Sequence, residues 1–290
     1  MRPILIVGAT GTLGRAFHRL CMVRGLPSRL VGRPDIDIAD AARVDAVVRD
    51  VKPWAVVNAA GYVRVDDAEH DYEACHRANV LGAVNLAAAC RRHGVKLVTF
   101  SSDLVFDGRR EKAYTEEDEP RPLNVYGATK AEAEWRVATV LPEALVIRTA
   151  AFFGPWDAAN FVAAVFRTLD GGGVFRAAAD TTVSPTFVPD LVHASLDLLI
   201  DGEEGLWHVA NEGAVSWFAF AREAATRTGR DIRLVAAVNG ADAWGPATRP
   251  RFSVLTSGRG RLLRPWSEAL DACLRETAAQ NAARVTACAS

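Results

Sequence analysis

Residues Gly8-Ala9-Thr10-Gly11-Thr12-Leu13-Gly14 constrain this chain more than any other stretch. They follow Ile4-Leu5-Ile6-Val7, a short apolar run of the kind found in buried parallel strands. They lead into residues 13–23, where the apolar spacing is helical. A glycine-rich turn between a strand and a helix is the context that a dinucleotide fingerprint requires. The spacing is G-x-x-G-x-x-G and not the commoner G-x-G-x-x-G, but the physics is unchanged. Glycines let the backbone approach a pyrophosphate, and the helix N-terminus offers free N–H groups to its charge. A turn without a ligand is the competing reading, and a place at the very start of a βαβ unit argues against it. Gly8, Thr10, Gly11, Thr12, Leu13 and Gly14 are therefore candidate dinucleotide contacts.

The rhythm continues down the chain. Strands are expected at 29–31, 55–57, 97–100 and 145–147, and helices at 41–50, over 68–93 as one or two pieces, and through 131–140. Strands alternating with helices predict an α/β, doubly wound parallel sheet. After Arg148 the pattern loosens. Gly171-Gly172-Gly173 reads as a turn, Val183-Ser184-Pro185-Thr186 as a loop and 190–200 as a helix. Residues 206–209 read as one more strand of the first domain. Residues 1–150 with about 187–212 thus form a dinucleotide-binding domain, and about 151–186 with 213–290 a smaller α/β substrate-binding lobe. The Ala-rich end after Glu276 shows no clear apolar face and reads as frayed.

The bulk numbers exclude several classes. In 290 residues, 34 basic and 35 acidic side chains leave a net charge of -1, so neither a nucleic-acid footprint nor a polybasic membrane patch is present. Five cysteines (Cys21, Cys75, Cys90, Cys273, Cys288) are an odd number without C-x-x-C spacing, and read as reduced thiols of a cytoplasmic protein rather than a disulfide framework or zinc site. The opening apolar run is too short for a signal segment or a membrane span.

Chemistry enters with Tyr126-Gly127-Ala128-Thr129-Lys130. On a helix, residues i and i+4 share a face. An ammonium beside a phenol is expected to lower the Tyr pKa and make a proton donor for work near neutral pH. An ordinary amphipathic helix explains the same five residues, but its position after a nucleotide-binding half favours the chemical reading. Arg33 is the first charged side chain after the second strand, where a basic group suits a 2′-phosphate. It points to NADP(H), with NAD(H) the alternative; Arg29 or Arg15 are other takers for the phosphate. Asp37, followed by Ile38, is placed near the adenine ring, or N-caps a helix together with Asp40. Asn58-Ala59-Ala60-Gly61 ends the third strand with small residues that let a cofactor cross the sheet edge. Ser101-Ser102-Asp103 ends the fourth, where a serine hydroxyl can reach a substrate carbonyl.

Together these residues resemble the extended short-chain dehydrogenase/reductase superfamily. Within it, Ser101-Ser102-Asp103-Leu104-Val105-Phe106-Asp107-Gly108 resembles the S-T-D-Y-V-F-D-G signature of the dTDP-4-dehydrorhamnose reductase family. Pro122-Leu123-Asn124-Val125-Tyr126-Gly127-Ala128-Thr129-Lys130 matches that family's P-L-N-x-Y-G-x-[ST]-K. Val57-Asn58-Ala59-Ala60-Gly61-Tyr62-Val63-Arg64-Val65-Asp66 is similar to its V-N-A-A-A-x-T-x-V-D, and Arg249-Pro250 to a late R-P. The resemblance implies a Rossmann-like fold and NAD(P)H-dependent reduction of the 4-keto group of a nucleotide-activated 6-deoxyhexose. It implies Ser102 as hydroxyl partner, Tyr126 as proton donor and Lys130 as ribose-binding residue. It further implies Asn79, Ser101 and residues Ala59, Ala60 and Gly61 beside the cofactor, and Val65, Asp103, Leu104, Ala151, Phe152 and Arg249 around the sugar.

Two departures stand out. Leu104 replaces the family's tyrosine, and Ala151 stands where many members carry tryptophan; both alter the sugar pocket rather than the hydride chemistry. Glutamates that hold a dimer-bridging metal in some members correspond to Ala16 and Pro189, so no metal site is expected. The chain is expected to be a monomer or homodimer that takes a small nucleotide sugar and neither nucleic acid nor membrane. Two other functions share the motifs: a nucleotide-sugar epimerase or dehydratase, and a non-catalytic NADP-binding subunit resembling the regulatory β-subunit of methionine adenosyltransferase.

Overall fold

The computed structural model describes residues 2–288, with the side chains of all but Asn281 and 283–288. The side chain of Cys288 lies outside the described residues; Cys21, Cys75, Cys90 and Cys273 are free and buried.

Short β-branched runs make the centre of the molecule. Strands β1 (Ile4–Val7), β2 (Ser28–Val31), β3 (Ala55–Asn58), β4 (Lys96–Ser102) and β5 (Leu145–Thr149) alternate with helices α1 (Thr12–Val23), α2 (Ala41–Val51), α3 (Tyr72–His76), α4 (Gly82–His93) and α5 (Val125–Val140). Two-residue strands β6 (Phe152–Phe153), β8 (Thr182–Val183) and β9 (Thr186–Phe187), with β7 (Phe175–Ala178), surround α6 (Phe161–Asp170). Helix α7 (Val188–Asp201) then leads to β10 (Gly205–His208). The chain closes with β11 (Val215–Ser216), α8 (Trp217–Arg227), β12 (Val235–Val238), α9 (Gly240–Ala243) and α10 (Trp266–Cys288).

Six strands form one sheet in the order β10-β5-β4-β3-β1-β2, every pair parallel. β1 and β3 are fully buried, as strands covered by helices on both faces must be. On one face Ile4, Ile6 and Val57 pack with Phe17 of α1 and Leu191 and Leu199 of α7. On the other, Leu5, Val7 and Val56 pack with Val44 of α2, Leu86 of α4 and Val137 of α5. The strand order reverses between β1 and β3. In such sheets the crevice beyond the carboxyl ends at this reversal takes the ligand.

The doubly wound parallel sheet expected from the sequence is present, and β10 joins it beside β5. Other expectations need correction. Residues 183–186 are not only loop, because β8 and β9 flank Ser184 and Pro185. The Ala-rich end does not stop after Glu276; α10 runs on to Cys288, as alanine's high helix propensity allows. Residues 72–93 are one helical run interrupted by a π-turn at Arg77–Leu81.

Candidate active site

The glycine turn is built by close backbone approach. Gly8 has φ +114, and a Cβ on Gly14 would lie 2.2 Å from the Gly8 carbonyl oxygen. The N–H groups of Gly8 and Ala9 bond to the Val31 carbonyl at 3.0 and 3.1 Å, fixing the turn against the end of β2. Helix α1 starts at Thr12 after Gly11, with no side chain capping its first turn. Its first N–H groups are therefore available to an anion. This cradle, closed to a Cβ at Gly8 and Gly14 and lacking a cap, fits a dinucleotide pyrophosphate. Thr12 also donates from Oγ1 to Asp157 at 2.6 Å. Thr10 is exposed, whereas Leu13 is buried in the core.

Arg33 is exposed just beyond β2. Asp37 accepts from the Ala39 N–H at 3.0 Å and pairs with Arg77 at 2.7 Å; these contacts hold its carboxyl below the usual range. Asp40 alone caps α2, accepting from the Arg43 N–H at 3.0 Å. Ile38 is buried beside the start of α4.

At the end of β3, Ala59, Ala60 and Gly61 approach the π-turn. Asn79 lies on that turn and clamps Tyr62: its Oδ1 accepts from the Tyr62 N–H at 2.8 Å and its Nδ2 donates to the Tyr62 carbonyl at 3.2 Å. A Cβ on Gly61 would fall 2.9 Å from Asn79 Oδ1 and 3.5 Å from Lys130 Nζ. Glycine at this position keeps a side chain off both the amide and the ammonium. π-turns of this kind recur at functional sites, and no sequence pattern announced this one.

Helix α5 delivers Tyr126 and Lys130. Asn124 caps it, accepting from the Gly127 N–H at 2.7 Å while donating to the Thr248 carbonyl at 2.8 Å. Lys130 Nζ donates to the Phe100 carbonyl of β4 at 3.1 Å and stands 5.7 Å from the Tyr126 ring centroid. The expected lowering of the Tyr126 pKa by Lys130 does not hold. Burial first, and then the negative charge of Asp103, push the phenol above its usual value, and the nearby Ser102 hydroxyl works in the opposite direction. Lys130 is itself lowered to about 8 by burial. Desolvation outweighs the attraction of an ammonium already committed to a carbonyl. Tyr126 is consequently a neutral phenol at pH 7 and carries its proton.

Ser101, Ser102 and Asp103 are buried at the end of β4, and Ser101 Oγ has no partner. Ser102 Oγ accepts from the Leu104 N–H at 3.1 Å and donates to Asp103 Oδ1 at 3.1 Å. The other Asp103 oxygen accepts from Ser253 at 2.6 Å. A cleft of about 350 Å³ opens over these groups. Val65, Leu104, Ala151, Phe152 and Arg249 line it together with Ser102, Asp103 and Tyr126. Ala151 takes φ +43, a left-handed backbone rare outside glycine. Arg249 does not present a free guanidinium, because both its terminal nitrogens bond to Asp66.

Several cleft residues were not read from the sequence. Trp217 and Trp244 pack edge to face at 5.6 Å and form the far wall with Arg249, which stands over Trp244. Ser253 and Asp66 meet partners 150 and 183 residues away. No local pattern reports such pairings.

This architecture, a parallel sheet with a glycine cradle at its reversal and a Ser-Tyr-Lys constellation beyond β4 and on α5, is that of an extended short-chain dehydrogenase/reductase. A family model described as RmlD substrate binding domain matches residues 1–279. The chain is similar to the dTDP-4-dehydrorhamnose reductase of Mycolicibacterium smegmatis, 37% identical over 92% of this chain and 83% of the relative. It is also similar to that of Mycobacterium tuberculosis, 35% identical over 93% and 92%. Among solved structures, dTDP-4-dehydrorhamnose reductase of Bacillus anthracis in complex with NADP superposes with a TM-score of 0.91 at 30% identity, covering 95% of this chain and 99% of that one. The chain belongs to the RmlD substrate binding domain family.

Proposed function

We propose that this protein is an NADPH-dependent oxidoreductase that reduces the 4-keto group of a nucleotide-activated 6-deoxyhexose, the dTDP-linked sugar named for its mycobacterial relatives. One observation carries the reading: Ser102, at the carboxyl end of β4, and Tyr126, at the start of α5, line one cleft together. In this reading, residues 1–150 with about 187–212 hold the cofactor, and about 151–186 with 213–290 hold the sugar.

The glycine turn, residues Ala59–Gly61 and Lys130 would hold the dinucleotide, with Arg33 at its 2′-phosphate. Bound there, its reduced nicotinamide would supply the hydride. The chain's own residues handle the oxygen. Tyr126, neutral at pH 7, protonates the forming alkoxide, and a positioned general acid contributes roughly a hundred- to ten-thousand-fold in rate. Ser102 stands beside the phenol and orients the carbonyl oxygen. Lys130, anchored to the Phe100 carbonyl, would bind the ribose of the dinucleotide. Leu104, Ala151 and Phe152 give the sugar an apolar wall that excludes water, so every interaction inside is stronger than in bulk solvent.

The test mixes purified protein, NADPH and dTDP-4-dehydro-6-deoxy-L-mannose, and follows loss of reduced-nicotinamide absorbance and formation of the 4-hydroxy sugar. Turnover above a Tyr126→Phe control supports the reading. Tight NADPH binding without turnover of this sugar or its epimers would overturn it in favour of a regulatory, non-catalytic role.

A further inference from the structure

We propose that Asp103, braced by Ser253, is a positioning residue that sets the direction of the Ser102 hydroxyl: towards the carboxylate when Asp103 is ionised, towards the substrate oxygen when it is protonated. The inference rests on the reduction assigned to this cleft above.

A serine hydroxyl has one proton and two lone pairs. Ser102 accepts one backbone N–H, from Leu104 at 3.1 Å, and spends its proton on Asp103 Oδ1 at 3.1 Å. With Asp103 ionised, Ser102 therefore has no hydrogen to offer a carbonyl oxygen. A protonated Asp103 reverses the bond: the carboxylic O–H donates to Ser102 Oγ and releases the serine hydrogen. Ser253 keeps the carboxyl in place for either arrangement, through a 2.6 Å bond to Oδ2. Ser102, Asp103 and Ser253 are all largely buried at the floor of the cleft, Ser253 to 1% exposure.

The surroundings leave this carboxylate without a cation. From α5 it faces Tyr126, which is neutral, and Lys130 on that helix is held by the Phe100 carbonyl. From the segment before α10 it faces Ser253, and Arg249 there is taken by Asp66. Burial raises the Asp103 carboxyl to about 6, against the two serine hydrogen bonds that lower it. The group thus changes state close to working pH. Its protonated form, which frees Ser102, is lost as pH rises through that value.

The experiment measures kcat/KM for the sugar on both sides of pH 6 in wild type, Asp103→Asn and Ser253→Ala. It also follows the Asp103 carboxyl by ¹³C NMR in wild type and Ser253→Ala without ligands. The wild-type rate should fall as Asp103 ionises. Asparagine donates to Ser102 at every pH, so Asp103→Asn should lose that limb. Ser253→Ala removes a donor that favours the charged form, so the limb and the NMR titration should both move up by about one pH unit. A merely structural role would lower the rate at all pH values without moving the limb. An unchanged limb in Asp103→Asn, or an unmoved titration in Ser253→Ala, overturns the proposal. A wild type that consumes no NADPH with the sugar refutes the functional reading instead, and the carboxyl titration still decides whether Ser253 braces Asp103.

Discussion

Glu134→Ala should be among the most destabilising single changes in this protein. Tyr126, Lys130 and Glu134 follow one another at four-residue spacing along α5, so one helix face carries the phenol, the ammonium and this carboxylate. Glu134 accepts from Arg148 of β5 in a bidentate pair, at 2.9 Å from Nε and 2.7 Å from Nη2. The two side chains are 10% and 2% exposed. Without Glu134, the guanidinium retains, among the described residues, His208 Nε2 at 3.3 Å and the Phe106 ring at 5.0 Å. His208 offers no negative charge, so Arg148 becomes a buried and uncompensated cation. Breaking such a pair from one side costs about 3–5 kcal/mol, which for a chain of this size corresponds to roughly 5–8 °C in Tm. Thermal unfolding followed by circular dichroism measures it. Replacing both partners by apolar residues, as in Glu134→Leu with Arg148→Met, should recover much of the loss, because no charge is then left buried. A single mutant within about 1 kcal/mol of wild type, or a double mutant less stable than the single, would refute the reasoning.

Tyr126→Phe should lower turnover by about two to four orders of magnitude and leave NADPH affinity nearly unchanged, since the hydroxyl serves the substrate oxygen; stopped turnover with intact cofactor titration checks both halves. Arg33→Ala should weaken NADPH binding about ten- to a hundred-fold with little effect on NADH, as loss of a charge-assisted phosphate contact predicts. Equal affinity of the unmutated protein for both cofactors, by calorimetry or fluorescence, would remove Arg33 from that role. His208 gives a pH dependence of stability. Burial and the charge of Arg148 lower it to about 4, so it folds neutral while the unfolded chain titrates near its usual value of about 6.5. Stability from this group is complete above the unfolded value and is lost as pH falls towards 4, by on the order of 3 kcal/mol. Chemical denaturation of wild type and His208→Gln across that range should show the slope in the first and a shallower one in the second.

What the sequence determined by itself is whatever depends on neighbours along the chain. Alternating strands and helices, the glycine cradle before α1 and the four-residue spacing of Tyr126 and Lys130 are local patterns, because strand and helix periodicity and turn stereochemistry act over a few residues. That is why the parallel sheet, the turn at its reversal and the proposed catalytic trio are legible in the sequence. The tertiary structure alone decided how those groups are tuned. The four-residue spacing predicts a Tyr126 pKa lowered by Lys130, but burial raises it, and burial is a property of everything packed around a site. Ser253 reached Asp103, Asp66 took Arg249 and Asp157 met Thr12 across 145 to 183 residues. Trp217 and Trp244 closed the cleft that Leu104 and Ala151 left with small or purely apolar side chains. Spacing along a chain predicts which residues share a face. Which charge ends up paired, desolvated or short of a proton is set only when distant segments pack together and exclude water.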